Sequence, residues 1–123
     1  MPQSPPAGPY PNPRRSPRFT FDALVGVVVP QLDNSQQFWS RSTDISQGGI
    51  GVNLIGGDVN SAEVVSLQIP LPKQQTADLR GAVRYRIGLH CGFEFVDLDE
   101  GQRSAVRSAY NALAKSQSGS LSI

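Results

Sequence analysis

The sequence predicts a small all-β domain, a six-stranded antiparallel barrel followed by one amphipathic helix. Three observations carry that reading. Six short segments rich in β-branched and aromatic residues, separated by Gly, Asn, Asp and Pro, recur at fairly even spacing between residues 19 and 97. Over residues 99–115 the apolar period changes from that of a strand to that of a helix. The Pro-rich start and Ser/Gly-rich end leave about 100 residues, the ordinary size of one compact domain. Closing six strands into a barrel removes the exposed sheet edges that an open sheet would leave.

Residues 1–13 hold six prolines among small and polar residues with a lone Tyr10. Such a stretch has too little apolar surface to offset its ordering entropy, so it reads as a flexible, partly polyproline arm before a domain at 14–115. The first strand is expected at 19–29, ending on Pro30 and a polar turn at 31–35. Strands at 38–46 and 49–54 follow, the second stopped by Gly56 and Gly57. The segment 63–71 is bounded by Pro70 and Pro72, and 79–87 and 89–97 are joined at Gly88. In the helix, Ala105, Val106, Ala109, Tyr110 and Leu113 form one apolar face. Asp99 with Gln102 three residues later reads as an N-cap and capping box. Residues 116–123 read as a flexible Ser/Gly tail.

A net charge of +1 gives no bulk field for nucleic acid or a membrane surface. Arginine outnumbers lysine nine to two, however, and its planar fork of donors suits phosphates and guanine edges better than a point charge does. Cys91 is alone, which excludes an intramolecular disulfide. No long apolar run follows Met1, so neither a signal peptide nor a membrane-inserted segment is expected, and the default compartment is the cytoplasm. His90 and Cys91 are adjacent, but strand neighbours point to opposite faces and a zinc site needs three or four ligands. No metal or cofactor is expected. With one histidine, one cysteine and no nucleophile–base pair, the chain does not read as an enzyme. Phe38 and Trp39 read as barrel packing, with Trp39 a convenient fluorescent reporter.

Two motifs remain. In 13–18, Pro17 holds Ser16 extended, so Arg14 and Arg18 can stand up to about 13–14 Å apart and grip different parts of one ligand. Alone, the run reads first as a solvated basic linker. In 44–49, strand alternation puts Asp44 and Ser46 on one face and Ile45 on the other, toward the core. A carboxylate there matches the adjacent N1–H and N2–H donors of guanine, and Ser46 can donate to a phosphate oxygen. Gly48 and Gly49 permit a tight turn and close backbone approach to a ligand. Alone, this reads first as a turn closing a hairpin, for which Asp, Ser and Gly are all common.

Together, R-x-x-x-R at Arg14 and Arg18 and D-x-S-x-x-G at Asp44, Ser46 and Gly49, 26 positions on from Arg18, resemble the signature of PilZ domains. Phe19-Thr20-Phe21, Ile50-Gly51-Val52 and the run from Gly92 to Asp97 before a terminal helix extend the likeness over about residues 13–114. The resemblance implies a PilZ-type barrel that binds cyclic di-GMP on its outer surface. By it, Arg14 and Arg18 contact guanine edges and phosphates, with Arg15 an auxiliary cation. Asp44 takes a guanine donor edge, Ser46 a phosphate, and Gly48 and Gly49 keep the surface open. Pro13 stands where some members carry another arginine, which favours one bound ligand over a stacked pair, and the loop at Gly88 is shorter than usual. A receptor of this size would pass its signal to a protein effector. The alternatives are a PilZ-like adaptor without nucleotide binding, which often lacks these residues, and a single-strand nucleic-acid-binding barrel, disfavoured by the near-neutral charge.

Overall fold

The computed structural model describes residues 17–30, 35–61, 63–71 and 76–121, with side chains to 117. The first prediction that falls beyond it is the Pro-rich arm at 1–13, together with Arg14 and Arg15, which lie outside the described residues. Seven strands and one helix follow: β1 Phe19–Thr20, β2 Leu24–Val29, β3 Gln36–Ile45, β4 Gly49–Leu54, β5 Val64–Pro70, β6 Thr76–Ile87, β7 His90–Val96 and α1 Glu100–Leu121. All pairings are antiparallel, and β3–β2–β5–β6–β7–β4 closes on itself through β3 with β4. The six-stranded barrel is therefore as the segment spacing predicts, with one short extra strand.

That extra strand is the front of the predicted strand at 19–29, split at 21–23. Both halves pair with β3, but Thr20 faces Asp44 and Leu24 faces Arg41, so three residues oppose two. The extra residue is a β-bulge, and Ser42 absorbs its cost. The buried Ser42 hydroxyl accepts from the Ala23 N–H and donates to the Phe21 carbonyl, which satisfies backbone groups the broken ladder leaves over.

Alternation along the strands fills the barrel. Val25, Val27 and Val29 of β2, Ile50, Val52 and Leu54 of β4, Val65, Leu67 and Ile69 of β5, and Cys91, Phe93 and Phe95 of β7 are all buried. Each such side chain contributes roughly 1.5–3 kcal/mol on leaving water. Phe38 packs inward as expected, whereas Trp39 does not: it stands on the outer face, 54% exposed, because its neighbours Phe38 and Ser40 take the inward phase. The β6–β7 hairpin turns in two residues, Gly88 and Leu89, with Gly88 at φ +61°, the conformation a two-residue turn beginning with glycine requires.

The capping box forms as predicted: Asp99 Oδ1 accepts from the Gln102 N–H at 2.7 Å, and Gln102 Oε1 accepts from the Asp99 N–H at 2.8 Å. Gln102 also donates to the Asp78 carbonyl, fastening the helix start to β6. Val106, Ala109 and Tyr110 are buried against the barrel, with Ala105 and Leu113 partly so. The helix runs to Leu121 rather than ending at Lys115, and the tail expected from 116 onward is helical through that residue. Gln117 in that extension donates to the Thr20 carbonyl, tying it to β1. Among the described residues no helix is long and apolar enough to cross a membrane.

Candidate functional site

The site is built on two phase changes. In β3 the inward positions are Phe38, Ser40 and Ser42, and strict alternation would turn Asp44 inward next. Thr43 is instead an extra residue against β4: Ser42 faces Val52, but Asp44 faces Gly51. A one-residue slip exchanges the faces, so Ile45 resumes the core and Asp44 points out. In β6 the same happens at Arg84. Val83 faces Phe93, whereas Tyr85 faces Gly92, which turns Tyr85 outward at 44% exposed.

The register then places four residues in one row across the outer face: Asp44, Gly51, Gly92 and Tyr85, from β3, β4, β7 and β6. The ends of the row are roughly 15 Å apart at three strand spacings. Glycine occupies both middle positions for a reason visible in the packing. A Cβ on Gly92 would lie 2.1 Å from the Tyr85 ring, and one on Gly51 would lie 3.1 Å from both Asp44 carboxylate oxygens. Asp44 and Tyr85 thus lean over a glycine floor from its two ends.

Arg18 reaches this row from the segment just before β1. Its Nε pairs with Asp44 Oδ1, and its Nη1 lies 3.4 Å from Ser46 Oγ. Thr43 Oγ1 donates to the other Asp44 oxygen at 2.9 Å. The α1 helix holds the Arg18 segment in place: the Tyr110 hydroxyl donates to the Pro17 carbonyl at 2.9 Å, and the Phe19 and Tyr110 rings pack with centroids 5.0 Å apart. Asp44 keeps 30% of its side chain exposed and Arg18 keeps 42%, so the pair is open to solvent.

Of the residues singled out in the sequence, the structure brings together Arg18, Asp44 and Ser46. Arg14 and Arg15 are outside the described residues. Ser46 is buried, and its hydroxyl is engaged in the chain itself, accepting from the Gly48 N–H at 3.2 Å. With Ser46 N–H donating to the Gly49 carbonyl, it closes the two-residue β3–β4 turn. The two glycines differ. Gly48 is exposed, with nothing within 4 Å of where a Cβ would stand. Gly49 is buried, and its Cβ would stand 2.2 Å from the Phe93 carbonyl oxygen. Its lack of a side chain accommodates β7, the chain's own neighbouring strand.

Tyr85 is the residue that sequence reasoning missed. Counting in twos from Leu79 and Val83 puts it in the core, with Arg80, Arg84 and Arg86 in the outward phase, so no local signal marked it and only the register slip at Arg84 turns it out. Partial burial holds its phenol above the ordinary tyrosine value, with the Arg18 cation pulling it down and Asp44 and Cys91 pushing it up. The hydroxyl therefore lies within the field of the Arg18–Asp44 pair. One row further, the His90 ring sits beside Tyr85, centroids 5.7 Å apart. Cys91, on the inner face, is fully buried, and burial pushes its thiol up to about 11. Such a thiol is neutral and unreactive at ordinary pH.

The pattern of the PilZ domain family matches residues 12–112. An uncharacterized protein of Aquifex aeolicus is 43% identical over 92 residues, an alignment that takes in 72% of this chain. The chain spans 43% of that relative's length. Among solved structures, the PilZ domain with c-di-GMP of YcgR from Escherichia coli is similar with a TM-score of 0.67 at 13% identity, over 89% of this chain and 97% of that one. The PilZ domain of CeSA from a cellulose-synthesizing bacterium is similar with a TM-score of 0.64 at 17% identity, over 79% and 97%. The Bacillus subtilis inhibitor of motility MotI/DgrA is similar with a TM-score of 0.63 at 22% identity, over 85% of this chain and 52% of that one. At these identities the structures testify to the fold.

Proposed function

The chain belongs to the PilZ domain family, and from that premise we propose that it is a receptor for cyclic di-GMP, binding it over the outer row from Asp44 to Tyr85. The observation that carries the reading is the meeting of Arg18 with Asp44 and Ser46 on a solvent-open face floored by glycine. The arrangement suits each part of such a ligand. Gly92 and Gly51 let the Tyr85 ring and the Asp44 carboxylate lie low on the sheet, so a flat base can settle over them, which side chains at the two glycines would prevent. The Asp44 carboxylate accepts the paired donors of a guanine edge, and Arg18 beside it attracts a phosphate or a guanine acceptor edge. Tyr85 offers an exposed ring at the other end of the floor, a surface for base stacking. Arg14 and Arg15 would add cations as the chain before Pro17 folds over the bound ligand, and one ligand per site suffices for the groups present.

On this reading the protein works in the cytoplasm, catalyses nothing, needs no cofactor, and passes its state to a protein effector without inserting in a membrane or binding DNA or RNA. The α1 contacts with Pro17, Phe19 and Thr20 support such a relay, since movement of the Arg18 segment would be felt by the helix. The test is a calorimetric titration of the protein with cyclic di-GMP. Saturable heat with one ligand per chain is expected. Absence of binding at millimolar ligand would overturn the receptor reading and leave a PilZ-fold adaptor that only contacts proteins.

A further inference from the structure

Beside the glycine floor, three polar side chains from three strands form a chain of hydrogen bonds that the ligand groups above do not use. Asn53 of β4 and His90 of β7 are register partners, and His90 is also the partner of Ile87 in β6. Asn53 Oδ1 lies 3.1 Å from His90 Nδ1, and His90 Nε2 lies 3.1 Å from the Tyr85 hydroxyl. An amide oxygen only accepts, so Nδ1 carries the proton in the neutral ring and Nε2 is left as an acceptor. The Tyr85 hydroxyl then donates to Nε2.

From this geometry we infer that Asn53 and His90 are positioning residues for the nucleotide site: they hold the Tyr85 ring flat over Gly92. Among the described residues, the Tyr85 hydroxyl has no other hydrogen-bond partner. The bulge at Arg84 delivers Tyr85 to the outer surface but leaves its χ angles free, and Gly92 beneath supplies contact without a wall. An exposed ring with two rotatable bonds loses stacking power unless something fixes it, because the ordering cost is then charged to ligand binding. The hydroxyl's anchor on His90 removes that cost in advance, and Asn53 selects the His90 tautomer that makes the anchor work. The only histidine of the chain thereby has a reason for its place.

The inference rests on the cyclic di-GMP reading, and its test separates the two. His90→Ala and Tyr85→Phe should each weaken cyclic di-GMP about three- to tenfold, the worth of one net hydrogen bond. The double variant should lose no more than either single, since both remove the same contact. His90→Gln, whose amide falls near the Nε2 position, should recover most of the loss, whereas His90→Asn, whose amide falls near Nδ1, should not. Melting curves without ligand guard against a merely structural effect. A second measurement needs no ligand: the ring over Gly92 shifts that residue's α-proton resonances, and the shift should collapse in His90→Ala and survive in His90→Gln. Losses that add in the double variant, or Gly92 resonances unmoved by His90→Ala, would overturn the positioning role. Failure of the wild type to bind would instead remove the receptor reading, with the Gly92 resonances still deciding whether His90 holds the ring.

Discussion

Asp44 has two partners within its own chain, Arg18 and Thr43, so a guanine arriving at its carboxylate must share or replace them. The exchange is cheap, because a half-exposed ion pair is worth at most about 1 kcal/mol. Asp44→Ala should accordingly leave stability nearly unchanged while weakening cyclic di-GMP by about 1–3 kcal/mol, the scale of one good bidentate base contact. It should also narrow the preference for cyclic di-GMP over cyclic di-AMP, since adenine lacks the matching pair of donors. Paired titrations of the two dinucleotides check this, and wild-type affinity in the variant would remove Asp44 from the base edge. Cys91 makes a different residue-scale prediction. Its thiol is raised from 9.0 to about 11 by burial, so the folded state holds the proton more tightly than the unfolded chain does. Its contribution to stability is flat below pH 9. It then falls by about 1.4 kcal/mol per pH unit up to the folded value. Urea melts between pH 7.5 and 10.5 should show that slope in wild type and a shallower one in Cys91→Ala.

At the scale of elements, the informative features are bulges and turns. Adjacent glycines in the β3–β4 turn look alike in sequence, and both were read there as room for a turn and a ligand. The barrel treats them oppositely. Gly49→Ala would drive a methyl into the Phe93 carbonyl, backbone against backbone, and should cost about 1–3 kcal/mol or more. Gly48→Ala meets open space at a backbone conformation ordinary residues adopt and should be tolerated to within about 0.5 kcal/mol. Chemical denaturation of the two variants tests the contrast, and equal losses would contradict it. The capping box at Asp99 and Gln102 was legible because it is local, four residues satisfying one another's backbone donors. The end of α1 was not. A Ser- and Gly-containing run has poor helix propensity, and what the local pattern omits is the tertiary bond from Gln117 to Thr20.

For the whole molecule, ligand and stability are linked by mass action. Cyclic di-GMP at one hundred times its dissociation constant adds about 2.7 kcal/mol to the folded state. In a domain of this size that should raise the melting temperature by roughly 10 °C. Thermal melts across a ligand series provide the measurement, and an unmoved midpoint at saturating ligand would contradict binding to the folded barrel. Salt supplies the complementary test. Two phosphates release few counterions, so the slope of log affinity against log salt should not exceed about two. A much steeper slope would mean that the arginines serve a polyanion instead.

The sequence by itself determined the barrel, its terminal helix and the residue types of half the site, because these rest on short-range signals. Period-two runs between turn residues, a capping box, and two spaced motifs can all be read without knowing what lies across the sheet. Even the outward aim of Asp44 was legible, since Ile45 beside it had to face the core. Only the tertiary structure decided the other half. Alternation holds until an extra residue interrupts it, and whether Thr43 or Arg84 is that residue depends on which strand lies alongside and in what register. A single slip at Arg84 moved Tyr85 from the expected core to the outer face, into line with Gly92, Gly51 and Asp44, and within reach of His90. Those four residues of the row come from four strands and span 48 positions of sequence, from Asp44 to Gly92, and the antiparallel register is what makes them neighbours.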